Sequence, residues 1–526
     1  MFRRAIPTFV LLAIAPGPVA AAAPPLARAA DASAPAWDRP ILADPDTRKP
    51  ADRPPRTFRD HGVGPTIDTA ERPRGAFSLD HDTASFDLAR AALARGEAPQ
   101  PAEVRVEEFV KVFSVPPEVL ADTKARLGIE VDAVSSSDRR GYQVVRVTAY
   151  ATPQPQRPVD VVVAVDVSPA MATPPDLDEA RELVQTLGAA LSRDDRIALV
   201  ELNSPAEVLL PLGPPPSIID LEAEAKRLGP AEAPAMSETT LAAAFGALGR
   251  KKAGRDRVVV VMGPGSLPPS AERSRNEARR RVWATAREAA RRGVATYAVG
   301  IGRDTYDDVL LGGLASAGQG AYLFAHEPSD TARRLAQVMR RPVAAADPVL
   351  DVEFDPEAVT RYRLLGFEGR IEPAPTRREQ PTSGALRAGD AVTALYEVKL
   401  RDGAPAVWGQ ASLRYTDPKT GKIRAVRQPM EGLQSGVATA DASGRTQLVV
   451  LAAAVAEKLR ASYWARRITW TELQDRFSAL PEDLRNDPDA ARLGAMIDAA
   501  AALRTKPKNS RSTATTRPFE RMPVVR

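Results

Sequence analysis

The sequence predicts an α/β fold centred on a doubly wound, mainly parallel six-stranded sheet, with a flanking β-rich domain and C-terminal helices. Three observations predict it. Between residues 158 and 342, short apolar runs alternate with helix-length amphipathic runs, the pattern of a parallel sheet covered on both faces. Two of those runs, VVVAV at 161–165 and VVVVM at 258–262, are apolar at every position, as strands buried on both sides must be. Residues 347–430 instead show strand character in Tyr362–Phe367, Ala391–Leu400 and Val407–Tyr415, and DPKTGK at 417–422 makes a hairpin turn into Ile423–Arg427.

A chain of 526 residues exceeds one hydrophobic core and divides into several units. Its 48 prolines outnumber its 33 glycines, which places long linkers or stiff loops between them. Residues 1–23 read as a secretory signal: Arg3 and Arg4 precede an apolar stretch from Ala5 to Ala15, and small residues from Val19 to Ala23 offer a cleavage site. That stretch falls short of the about 20 residues a membrane span requires, and no later one reaches it. The expectation is an exported protein of the periplasm or cell envelope whose mature chain has no transmembrane span. The chain has no cysteine, which removes disulfides, thiolate metal sites and a cysteine-linked lipid anchor. The formal charge of +5 is a weak imbalance of interleaved charges, so no nucleic-acid partner is expected.

Residues 24–65, rich in Pro, Ala, Asp and Arg, read as a disordered linker. Residues 66–157 form an N-terminal segment: two helices within 77–113 are separated by Gly96–Pro101, Thr83 or Ser85 caps the first, and Tyr142–Tyr150 is a strand expected to join the C-terminal β-rich domain. Within 158–342 the strands are Val161–Asp166, Ile197–Leu202, Val208–Pro211, Val258–Met262, Ala295–Gly300 and Ala321–Phe324. Leu177–Leu191 and Arg273–Arg292 are helices, and Asn203–Glu207 turns an edge hairpin. Residues 436–504 are helical, from Thr446–Leu459 to Asp489–Leu503, with Trp464 and Trp470 between them as packing residues. Residues 505–526 are a basic tail, whose stretch from Arg504 carries seven cations and the single acid Glu520.

In a doubly wound sheet, ligands collect where the central strands end. The first central strand ends in DVSPA, Asp166–Ala170. This resembles the metal-ion-dependent adhesion motif D-x-S-x-S of the von Willebrand factor type A (vWA) family, which a threonine in a later loop and an aspartate after the fourth strand complete. The resemblance implies a Rossmann-like vWA domain over 158–342. Asp166 and Ser168 match the motif, and Thr239 of SETTL takes the threonine's place. Ala170 stands where the second serine belongs, and Gly263 of MGPG where the aspartate belongs. A hard cation such as Mg2+ or Mn2+ seeks about six oxygen ligands, so losing a hydroxyl and a carboxylate leaves a weak site or none. The expectation is a degenerate adhesion site without a resident cofactor, with Asp166, Ser168, Thr239 and Gly263 forming the partner-binding face. The plainer roles are a carboxylate at Asp166 accepting N–H groups from the helix that begins near Pro174, and loop or cap roles for Ser168 and Thr239. Glu238 is a candidate substitute carboxylate.

The resemblance extends to the flanks. FSLDHDTASF at 77–86, followed by RVEEFVKVF, is similar to the signature ahead of the A domain in a family of bacterial vWA proteins, many of them envelope lipoproteins. VEFDPEAVTRYRLLGFEGR at 352–370 and AGDAVTALYEVKL at 388–400 resemble that family's C-terminal region. Membership implies binding or scaffolding with a protein partner rather than a reaction.

Enzyme readings find little support. His61, His81 and His326 are scattered, with neither a nucleophile elbow nor a phosphate loop, and GIG at 300–302 reads as the turn after a strand. Asp80, Asp82 and Asp87 surround a helix start, where carboxylates suit the free N–H groups. The reading is therefore a non-enzymatic exported protein-binding or scaffold protein, with a divalent-cation-dependent adhesion module and an envelope hydrolase as alternatives.

Overall fold

Five valines among the eight residues VDVVVAVD and the next strands' similar runs leave no face for solvent, and the chain covers both. The computed structural model describes residues 56–115, 126–172, 175–232, 236–267, 272–302, 306–368 and 384–505. The predicted signal at 1–23, residues 24–55 of the predicted linker and the tail from 506 lie outside them.

Strands run in the order Gln319–Phe324, Val294–Gly300, Asp256–Gly263, Val159–Asp166, Arg196–Leu202 and Glu207–Gly213. All neighbours are parallel except the last pair, the edge hairpin. The two valine-rich strands lie side by side, Val161 opposite Val258 and Val165 opposite Met262. Alternation along them feeds two cores. Val161, Val163 and Val165 meet helices Asp176–Ala190, Ile218–Lys226 and Pro328–Met339, whereas Val162 and Ala164 meet Glu238–Ala247, Glu272–Arg291 and Asp308–Ala317.

The flanking strands form two further sheets. In one, Gln143–Ala151 pairs antiparallel with Leu127–Ser135 and with Ala391–Leu400, which pairs with Val359–Leu365. In the other, Val343–Phe354 pairs with Arg74–Ser78 and with Val407–Thr416, which pairs with Ile423–Glu431. Val145, Val147 and Ala149 face the second sheet's Leu350, Val352 and Leu413. The opposite face, through Val144, Leu365 and Leu395, packs on helices Ala84–Ala94, Val106–Val112, Gly444–Leu459 and Pro488–Thr505. The division of the flanks into 66–157, 347–430 and 436–504 therefore needs correcting: strands on either side of the A domain share each sheet and the helices cover one of them. The strand Leu127–Ser135 went unread in the sequence. The linker's last residues also take part, since Arg56–Thr57 pairs with Tyr306–Asp307.

The acids of FSLDHDTASF do more than start a helix. Thr83 stands at the N-cap without a side-chain hydrogen bond, and the Glu108 carboxylate accepts the Ser85 N–H instead, at 2.8 Å. Asp82 accepts the N–H of Tyr322 at 2.9 Å, and the Thr83 N–H donates to the Tyr322 carbonyl at 3.0 Å. This satisfies part of the free edge of Gln319–Phe324, which otherwise invites another chain. Asp80 pairs with Lys111 and Asp87 with Arg90 and Arg334. Arg105 meets Asp308 through two hydrogen bonds of 2.9 and 3.1 Å. No helix among the described residues is long and apolar enough to cross a membrane.

The A domain leaves the sandwich after Ala151 and returns at Val343, so its two stems stand together: the Arg157 N–H donates to the Arg340 carbonyl at 3.0 Å. Asp195, almost fully buried, clamps both. It accepts from the N–H of Val159 at 2.9 Å, of Ser192 at 2.7 Å and from the Arg340 guanidinium at 2.9 Å. Burial pushes its carboxyl up, but the N–H groups of Val159 and Ser192, the Ser192 hydroxyl and Arg340 outweigh that and hold it below the ordinary 3.8. A depressed carboxyl contributes stability above its unfolded value and loses it as pH falls through the folded value. Asp195→Asn is expected to cost about 2–4 kcal/mol in urea unfolding at neutral pH, with the gap to wild type closing as pH drops below 4. A gap that is constant or widens in acid would contradict the clamp.

Candidate functional site

Asp166 closes the central strand at the sheet's carboxyl end, and no part of it reaches solvent. The chain then makes a 3-10 turn, Pro169–Ala172, in which the Met171 N–H donates to the Ser168 carbonyl at 2.9 Å. One carboxylate oxygen of Asp166 accepts the Ser168 N–H at 3.0 Å and the other the Ser266 N–H at 2.8 Å. The predicted donors were those of the next helix. That helix begins only at Asp176, beyond the 3-10 turn and Pro175, so the amides that bind Asp166 come from the adjoining loops. Burial pushes the Asp166 carboxyl up, and the Ser266 and Ser168 amides pull it only part of the way back.

Gly263 makes this approach possible. Its φ is +135°, and a Cβ there would lie 2.7 Å from the Asp166 Cβ and 3.0 Å from its carbonyl oxygen. The side chain absent at 263 is thus replaced by contact with Asp166 itself, and the following loop folds inward to donate Ser266 N–H. The Gly263 carbonyl meanwhile accepts from Ile301, at 3.1 Å.

Helix Glu238–Ala247 stands beside this loop, as the Met236 N–H donates to the Ser266 carbonyl at 3.3 Å. Its first turn is a capping box in which Ser237 and Thr240 exchange side-chain hydrogen bonds. Thr239 is exposed, and its hydroxyl shares a 2.9 Å hydrogen bond with Ser237. Thr240 is the buried threonine of the pair. Glu238, the candidate substitute carboxylate, pairs outward with Arg281 at 3.2 Å. The buried Ser266 hydroxyl lacks a hydrogen-bond partner, and the Ser168 hydroxyl lies against the Asp166 carboxylate and helps to lower its pKa. They are the oxygen donors that the site has left, because Ala170 and Gly263 offer none and both Asp166 oxygens already accept amides. No group of three or more His, Asp or Glu side chains suited to a metal occurs among the described residues. This set does not fit the near-octahedral oxygen shell of Mg2+ or Mn2+. Ser266 was missed in the sequence because a loop serine four residues after a strand has no distinguishing pattern.

The acids weighed for hydrolysis do not converge on a cleft: Asp80, Asp82 and Asp87 each bind a different neighbouring element. His81 lies 3.1 Å from Asp390.

Three family profiles match consecutive parts of the chain: "von Willebrand factor" over 54–146, "von Willebrand factor type A domain" over 160–338, and the C-terminal region of the uncharacterized protein YfbK over 342–410. YfbK of Escherichia coli strain K12 is 25% identical over 403 residues, which cover 72% of this chain and 65% of the relative's length. The chain thus spans slightly under two thirds of that curated relative. Among solved structures, a von Willebrand factor type A protein of Catenulispora acidiphila aligns with 74% of this chain and 88% of its own at 17% identity and a TM-score of 0.39. An aerotolerance-related membrane protein of Bacteroides fragilis aligns with 34% of this chain and 97% of its own at 17% identity and a TM-score of 0.30.

Restoring a carboxylate at the glycine tests this packing. Gly263→Asp is expected to lose about 2 kcal/mol or more in urea unfolding, from the left-handed backbone and the contact with Asp166, and to acquire no Mg2+ binding by calorimetry. A variant as stable as wild type that binds Mg2+ would show a vacant ligand position instead of a filled one.

Proposed function

Since this chain carries a von Willebrand factor type A domain within flanks homologous to those of YfbK, we propose that it is a non-enzymatic, exported protein-binding or scaffold protein of the bacterial envelope that recognises its partner without a divalent cation. The single observation behind this reading is the state of Asp166. Both of its oxygens are taken by backbone amides in a space that Gly263 leaves too narrow for another side chain. The pole that binds ligands in doubly wound sheets then presents loops and helix starts rather than an ion.

Recognition falls to the surface around that pole: the turn at Ser168–Ala170, Thr239 on its exposed helix start, and the loop following Gly263. The sandwich grips the A domain at its other end, so these loops stand clear of the stems. Export is inferred from the basic and apolar residues of 1–23. A cation-dependent module is the competing reading, favoured by the buried Ser266 hydroxyl, which has no hydrogen-bond partner.

Calorimetric titration of the full chain with MgCl2 and with MnCl2 separates the two. The expected result is no saturable heat. Saturable binding that disappears in Asp166→Ala would overturn cation-free recognition and establish the adhesion module.

A further inference from the structure

At the amino-terminal end of the six-stranded sheet, the pole opposite Asp166, a cleft of about 330 Å3 opens between the A domain and the sandwich. Seven arginine and lysine side chains line it, against two carboxylates. They come from separate stretches of chain: Lys251, Arg255 and Arg257 from the approach to strand Asp256–Gly263, Arg157 from the entering stem, and Arg126 and Lys419 from the sandwich.

The two carboxylates differ: Asp417 is engaged in its own turn, whereas the Asp256 Oδ2 is buried without a hydrogen-bond partner. Asp417 accepts the N–H of Lys419 at 2.9 Å and of Thr420 at 3.2 Å inside its own turn, and pairs with Arg424 at 3.0 Å. Asp256 lies 3.8 Å from Arg157. Two of the cations are held in place by neighbouring acceptors. Arg255 is held by Asp160 at 2.6 Å, and buried Arg387 by the carbonyls of Arg341 at 3.0 Å and Gln319 at 3.3 Å, which orient its guanidinium without cancelling its charge. Arg257 donates to the Gly249 carbonyl at 2.7 Å, and its buried Nε has no partner. Arg126, Lys251 and Lys419 form no ion pair among the described residues.

Like charges gathered from two lobes at one seam repel each other, and low-dielectric walls concentrate their field. Guanidinium groups match tetrahedral oxyanions through forked hydrogen bonds, and ammonium groups add point charges. The cleft's volume lies at the lower end of the roughly 300–1,000 Å3 of small-molecule sites, more than a lone chloride needs. From these observations we propose that the cleft binds a small ligand carrying two or more phosphate groups. The site is remote from the Asp166 pole and stands or falls independently of the partner-binding reading.

The test is calorimetry on the full chain with sodium pyrophosphate at low ionic strength. Saturable one-site binding that weakens as NaCl is raised is expected. The double reversal Arg126→Glu/Lys251→Glu should weaken it by about tenfold or more, while Arg273→Glu, on a side chain 93% exposed on another helix, should leave it unchanged. If circular dichroism shows the double variant misfolded, Lys419→Gln on its exposed turn replaces it, with an expected loss of about threefold. Absence of saturable binding by the wild type, or equal weakening by Arg273→Glu, would overturn the proposal. Sedimentation with phosphatidylglycerol vesicles separates the sources of phosphate: capture by vesicles without any response to pyrophosphate would also overturn it, since the charge would then serve a lipid surface.

Discussion

Strand Gln143–Ala151 pairs along nearly its whole length with Ala391–Leu400, from Gln143 opposite Val398 to Tyr150 opposite Ala391. The whole A domain lies between these partners in the chain. Closing so long a loop costs entropy that grows only slowly with length, and the buried valines of the strand offset it. Once the pairing forms, the A domain must enter and leave at one place. Its stems are tied by Arg157 to Arg340, and Asp195 bonds to both. The loops after Asp166 and Gly263 therefore lie at the opposite end of the sheet from these stems.

That polarity explains why the two ends of one sheet differ in chemistry. At the carboxyl end, Asp166 is drawn into its own loops by the amides of Ser168 and Ser266, and Gly263 lets the backbone approach where a side chain would intervene. A pocket that would otherwise need a cation to satisfy its carboxylate is satisfied by peptide groups. At the amino end, the walls come from two lobes, and the seven cations that line the cleft outnumber its two carboxylates. Burying like charges at a seam is unfavourable unless an anion joins them.

The N-terminal signature acts as a bracket between these bodies. Asp82 and Thr83 bond the edge strand of the A domain, Arg105 reaches Asp308, and Arg90 and Arg492 meet at Glu327. Hydrogen-bonded charge pairs of this kind are sensitive to geometry, since removing one member leaves the other buried and unmatched. They fix the angle between neighbouring elements more firmly than apolar contact would, because apolar packing tolerates small slides and a bidentate pair does not.

What the sequence by itself determined was whatever repeats along the chain. The period of the valine runs specified buried parallel strands, and DVSPA marked the end of the first. Tertiary structure decided what depends on residues far apart in number. That Ser266 rather than the following helix binds Asp166, and that the segments 66–157, 347–430 and 436–504 share two sheets and one helical layer, follow from contacts across about a hundred residues or more. Local propensity is written in neighbouring side chains, whereas a hydrogen-bond partner is chosen by whichever loop the packed core brings within about 3 Å, and that choice has no local signature.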